Sequence, residues 1–137
     1  METIHTVYLG ELRTQATHVN SGYQLFTDVP KENGGKGEAF SPTDLLCASL
    51  VSSMVSVMGG VAKAPSFGGS IDGTKVRTTK IMKENPHMVA EVIIEFDMPK
   101  NNFTHEQKTM LEASARNSQV GRSLHADLKQ TVIFNYR

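Results

Sequence analysis

From Gly34 to Met58 the chain passes from a glycine-bearing loop into a capped, almost wholly apolar helix, and few folds can house such a helix. Ser41 is a good N-cap, Pro42 suits the first helical position, and Asp44 lies at N3, where a carboxylate favours the helix dipole. Leu45, Leu46, Leu50, Val51, Met54, Val55, Val57 and Met58 then cover most of the circumference, so the helix is expected to be buried on nearly all sides. Gly59-Gly60 permits close packing or a bend, and Pro65 sets the latest end. A helix buried all round needs cover on more than one side. One sheet of a small domain covers one side; a second copy of the chain covers the other, and an intertwined homodimer is expected.

The segments around the helix read as strands and one further helix. Thr6–Leu9, Thr14–Thr17 and Tyr23–Thr27 have extended character, with a turn signal at Asn20-Ser21-Gly22 and a polar loop from Pro30 to Gly37. Val76–Met82 leads through the turn Lys83-Glu84-Asn85-Pro86 into a strand in which Ala90, Val92, Ile94, Phe96 and Met98 alternate with partners facing the other way. Thr104 with Gln107 forms a capping box opening a second helix, whose apolar stripe is Met110, Leu111 and Ala115. A short turn or helix at Ser123–Leu128 precedes a last strand with Val132, Phe134 and Tyr136 on one face. The order predicts a single α+β domain over residues 1–137, with antiparallel sheets around a long buried central helix.

Charge narrows the function classes. Fourteen Lys and Arg balance fourteen Asp and Glu, so neither a basic stripe for nucleic acid nor an acidic tail is present. One cysteine rules out an intrachain disulfide, and Met1-Glu2-Thr3-Ile4-His5 lacks the features of a signal peptide, so a soluble cytoplasmic protein is expected. The apolar run over 45–62, broken by four serines and two glycines, is expected to fall short of the roughly 20 apolar residues of a membrane span. No His and Cys grouping has metal-ligand spacing, and neither metal nor cofactor is expected. Gly34-Gly35-Lys36-Gly37 lacks the spacing of a phosphate loop, since Gly37 stands where serine or threonine is required.

Two motifs carry a family resemblance. Ser41-Pro42-Thr43-Asp44-Leu45-Leu46, continuing to Ser53, and Ser118-Gln119-Val120-Gly121-Arg122-Ser123-Leu124 resemble the signatures of the OsmC/Ohr family of thiol-dependent hydroperoxide reductases. Members typically read S-P-x-x-L-L-x-x-A-L-x-x-C and C-P-V-x-x-S-L; their first cysteine is the peroxidatic nucleophile and the second resolves its sulfenic acid. The resemblance puts Ser53 and Ser118 at those two positions and implies a pocket that includes Thr43 and Met54, in an intertwined homodimer. A thiol near pKa 8.5 can be pulled below about 7.5 and then attack a peroxide, passing through a sulfenic acid. A serine hydroxyl has neither that ionised form at neutral pH nor that oxidation ladder. Further departures lie nearby. Thr43 stands where peroxidatic members often carry a glutamate, Gln119 replaces the motif proline, and the loop His18–Gly22 holds no arginine. Arg13 is near in sequence but has no evident place in the site.

The remaining candidates are weaker. Cys47, six residues before Ser53, lies roughly 120° away around an ideal helix and reads as a small buried hydrophobe rather than a relocated thiol. A serine hydrolase lacks both the G-x-S-x-G elbow and any pattern among His5, His18, His87, His105 and His125. Three readings follow. The resemblance implies first a non-peroxidatic paralogue binding a small hydrophobic ligand, such as a hydroperoxide or fatty-acyl compound. The second is a one-cysteine hydroperoxide reductase using Cys47 with an external thiol. The third is a structural or interaction dimer.

Overall fold

A computed structural model describes residues 1–137. The chain forms two compact units, Met1–Leu46 and Cys47–Arg137, and the boundary falls within the long helix.

The first unit is a three-stranded antiparallel meander of β1 (Ile4–Gly10), β2 (Arg13–His18) and β3 (Gln24–Asp28), in that order. Glu11 and Leu12 close the β1–β2 hairpin with both φ angles positive, 56° and 63°, which matches the right-handed twist of the strands although neither residue is a usual turn former. Thr6 pairs with Ala16 and Ala16 with Leu25, so Ile4, Tyr8 and Leu25 share one face; Val7 and Phe26 both oppose Gln15 and lie on the other. Apolar side chains on both faces are exposed, among them Tyr8 at 64% and Phe26 at 46%.

The long helix α1 runs from Pro42 to Lys63. Its start is a reciprocal cap: the Asp44 N–H donates to Ser41 Oγ at 3.0 Å and the Ser41 N–H to Asp44 Oδ2 at 3.0 Å. The expectation of burial on nearly all sides fails in the single chain. Only Cys47, Leu50, Met54 and Met58 are buried, a single stripe, whereas Ser49, Ser52, Ser56 and Gly60 are exposed on the opposite face. Burying each large side chain of that stripe contributes about 1.5–3 kcal/mol. The expectation that this segment is too short and polar for a membrane span also needs correction. By length and composition alone α1 is long and apolar enough, with a mean hydropathy of 1.9 over its best window. In the single chain it buries one stripe, the pattern of an amphipathic helix against a core.

The second unit adds a sheet of β4 (Lys75–Lys83), β5 (Met88–Asp97) and β6 (Lys129–Asn135), with β5 central. Val92, Ile94, Phe96 and Met98 are buried as the alternation predicts, but Ala90 is not. A bulge lies where Ile81 pairs with Glu91 and Met82 with Val89, so Ala90 is the extra residue and Val89 takes the inward position. The sheet is not wholly antiparallel. β6 runs parallel to β5, because the segment between them carries α2 (His105–Arg116) and α3 (Gln119–Ser123) and makes a crossover.

Both bonds of the Thr104–Gln107 box form at the start of α2. Leu111 and Ala115 are fully buried, whereas Met110 points out at 41% exposure, one position off the stripe. Tyr136 donates to Glu112 at 2.8 Å, Lys108 lies over the Tyr136 ring and Arg116 over that of Phe134, which stacks on Phe96. These contacts tie α2 to the inner face of the sheet. The short turn or helix expected at Ser123–Leu128 is a turn, closed by the Leu128 N–H donating to the His125 carbonyl at 3.0 Å, and a short helix not foreseen there, Gln119–Ser123, precedes it with Ser118 as its N-cap.

Candidate functional site

Ser53 lies on α1 turned away from the buried stripe. It shares a face with Ser49, Ser52 and Ser56, at a spacing that keeps all four on one side of a helix. Facing them is the first turn of α3. Together Ser49, Ser52, Ser53, Ser56, Val57 and Gly60 from α1 and Gln119 and Val120 from α3 line a cleft of about 540 Å³. No charged side chain lines it. Such a cleft suits an uncharged ligand, since an ionised one would lose water without gaining a partner.

Two hydroxyls hold the α3 wall. Ser53 Oγ accepts the Val120 N–H at 3.3 Å, and Ser118 Oγ accepts the Gly121 N–H at 3.1 Å as the N-cap. The Gln130 amide donates to the Gly121 carbonyl at 3.0 Å from the β6 side. Gly121 leaves room for these two side chains, since an added Cβ would lie 2.8 Å from Ser118 Oγ and 3.0 Å from Gln130 Oε1 and one of them would have to shift. Both serines are thus engaged as hydrogen-bond acceptors for the backbone of one short helix. Ser118 is fully buried, and it is Ser53 that borders the cleft.

The other expected site residues are placed differently. Met54 is fully buried on the core stripe, and Thr43 sits in the first turn of α1, where its hydroxyl lies 3.3 Å from that of Ser41; neither lines this cleft. Cys47 is 4% exposed on the same stripe as Met54, on another side of the helix from Ser53. Sequence reasoning noted Gln119 only as a departure from the motif and passed over Ser49, Ser52, Ser56, Val120 and Gln130 as lining or anchoring residues. The serine spacing was legible as one helical face; the partnership with α3 was not.

The glycine-bearing loop of the first unit is organised by a residue that carried no sequence signal. Asp28, 1% exposed, accepts the Glu38 N–H at 2.9 Å and the Lys36 N–H at 3.4 Å. These bonds, the one from Glu38 foremost, with help from the Arg13 guanidinium, hold its carboxyl below the usual carboxylate range. Arg13 donates to Glu38 at 3.0 Å and lies 4.0 Å from Asp28, so it serves this loop. Gly35 passes so close to Val29 that a Cβ would fall 1.8 Å from the Val29 carbonyl oxygen.

Comparison with known proteins agrees with this architecture. A solved structure from Psychrobacter arcticus 273-4, described as a candidate osmotic stress induced and detoxification response protein, is 38% identical, with a TM-score of 0.93 over 98% of this chain and 96% of its own. An OsmC-like protein from Mycoplasma pneumoniae shares the fold at 16% identity and a TM-score of 0.78, covering 97% of this chain and 94% of that one. So does an organic hydroperoxide resistance protein from Elizabethkingia anophelis, at 16% identity and 0.75, over 100% and 98% of the two chains. No family model and no curated protein matches the sequence. Fold and likeness together define a class: the chain belongs to the OsmC/Ohr-like family of stress-response proteins.

Proposed function

We propose that this chain is a homodimeric OsmC-like protein that holds a small, uncharged, largely hydrophobic ligand in the cleft beside Ser53 and does not turn over peroxides through a thiol. One observation carries the reading. The positions matching the family's two reactive cysteines are hydroxyls, and both hydroxyls serve as acceptors for the α3 backbone beside an uncharged cleft. The sole cysteine is buried on another side of α1. Within a stress or detoxification response, such a protein sequesters or senses a compound that its thiol-bearing relatives would reduce.

The dimer is supported by the first unit. A three-stranded sheet that exposes apolar side chains on both faces offers a surface for association, and a second copy is the occupant we propose for it. Native mass spectrometry of protein purified from cells without denaturation tests both parts. A dimer carrying a reproducible small-molecule mass is expected. A bare dimer that takes up no long-chain alcohol or hydroperoxide on titration would refute ligand holding, and a monomer would refute the assembly. The double variant S53C/S118C is expected to gain some thiol-dependent consumption of an organic hydroperoxide; a folded double variant with none would show that the pocket itself is not that of a peroxidase.

A further inference from the structure

α3 is held in an unusual way for an element that forms the wall of a cleft. None of its residues is buried, so no side chain anchors it in the core. What fixes it is a set of three side-chain hydrogen bonds, two from other elements and one from its own N-cap. Ser53 on α1 takes the Val120 N–H, Ser118 at the helix start takes the Gly121 N–H, and Gln130 on β6 donates to the Gly121 carbonyl. Its flanks are anchored, for Ser118 is fully buried and Leu128 is 8% exposed. A short helix without buried side chains, secured by polar bonds between fixed ends, belongs to the low-stability end of local opening.

We propose that α3 is the moving wall of the Ser53 cleft, hinged at Ser118 and latched by Gln130 and Ser53. Opening breaks the bonds at Val120 and Gly121 and swings Gln119 and Val120 off the cleft, enlarging access to Ser53. Ser53 couples the two events, because a ligand hydroxyl that donates to Ser53 Oγ from the side of α3 takes the place of the Val120 N–H. This role deepens the ligand-holding function proposed above and rests on it for its purpose. The latch itself does not depend on any ligand.

Gly121 supplies a discriminating variant. In an unconstrained helix, Gly→Ala adds stability through helix propensity. Here the new Cβ would lie 2.8 Å from Ser118 Oγ and 3.0 Å from Gln130 Oε1, and turning Ser118 Oγ away from it gives up the bond from the Gly121 N–H. Amide hydrogen exchange on the ligand-free protein reads the outcome residue by residue. In the wild type, Val120 and Gly121 are expected to exchange at least tenfold faster than Leu111 in the core of α2. Gln130→Leu and Gly121→Ala are each expected to speed exchange across 119–123 by about three- to tenfold and to leave Leu111 and Ala115 unchanged. Wild-type Val120 and Gly121 amides as slow as that of Leu111 would overturn the proposal. So would slower exchange in Gly121→Ala. Because no ligand enters the experiment, the latch can fail while a bound compound is still found by mass spectrometry, and the reverse.

Discussion

A hydroxyl at position 53 and another at 118 do for α3 what a thiol does poorly, since sulfur is a weak hydrogen-bond acceptor. Ser118→Ala is expected to lower stability by about 1 kcal/mol, the usual worth of an N-cap, seen as a lower urea midpoint at unchanged slope. An unchanged midpoint would mean that the cap contributes nothing. Asp28 gives a pH signature. Its folded pKa is depressed, so its contribution is present above the unfolded value of about 3.9 and fades as pH falls through the lower, folded value. Asp28→Asn is therefore expected to be less stable than wild type at pH 7 and pH 5, with the gap closing on acidification below about pH 4. A gap that persists to pH 2.5 would assign the effect to something other than ionisation. At this scale the sequence was a good guide to two of the three local caps, though the one from Ser118 to Gly121 was missed. The caps Ser41–Asp44 and Thr104–Gln107 could both be read from spacing alone. Asp28 was silent because its partners are backbone N–H groups in a loop up to ten residues away, and composition does not mark them.

Elements were legible where local periodicity decides and obscure where a distant neighbour does. β5 was found by its alternation, yet the bulge that trades Ala90 for Val89 depends on pairing with β4. The parallel pairing of β5 with β6 likewise depends on the path taken by the segment between them. The Glu11-Leu12 turn escaped notice because neither residue favours positive φ; the strands on either side impose it. α1 shows the reverse error. Its apolar circumference was real, but one chain buries only the stripe of Cys47, Leu50, Met54 and Met58. In the loop leading to α1, Gly35→Ala is expected to cost about 1–3 kcal/mol, because its Cβ would overlap the Val29 carbonyl and the opposing group is backbone. Thermal unfolding reads this, and a neutral Gly35→Ala would show that the loop yields freely.

For the whole molecule, the telling feature is the contrast between the two units. The second gathers a core from α1, α2 and the β4–β6 sheet, while the first exposes Ile4, Tyr8, Val7, Leu9, Leu25 and Phe26 on its sheet. The family likeness was readable from Ser41–Leu46 and Ser118–Leu124, and a relative of 38% identity spanning nearly all of the chain bears it out. What covers the exposed apolar residues of the first unit was not readable, since apolar strand residues look alike whatever covers them. Phe26→Glu is expected to dissociate the proposed dimer, giving a halved mass in native mass spectrometry at micromolar concentration. A Phe26→Glu protein that stays dimeric would place the contact elsewhere. Function at this scale turns on whether sulfur chemistry runs at all. Peroxide consumption decides it, measured with cumene hydroperoxide and dithiothreitol on wild type and Cys47→Ala side by side. Both proteins are expected to match the protein-free rate. Wild-type turnover that disappears in Cys47→Ala would make Cys47 the reactive group and end the reading of a site without a thiol.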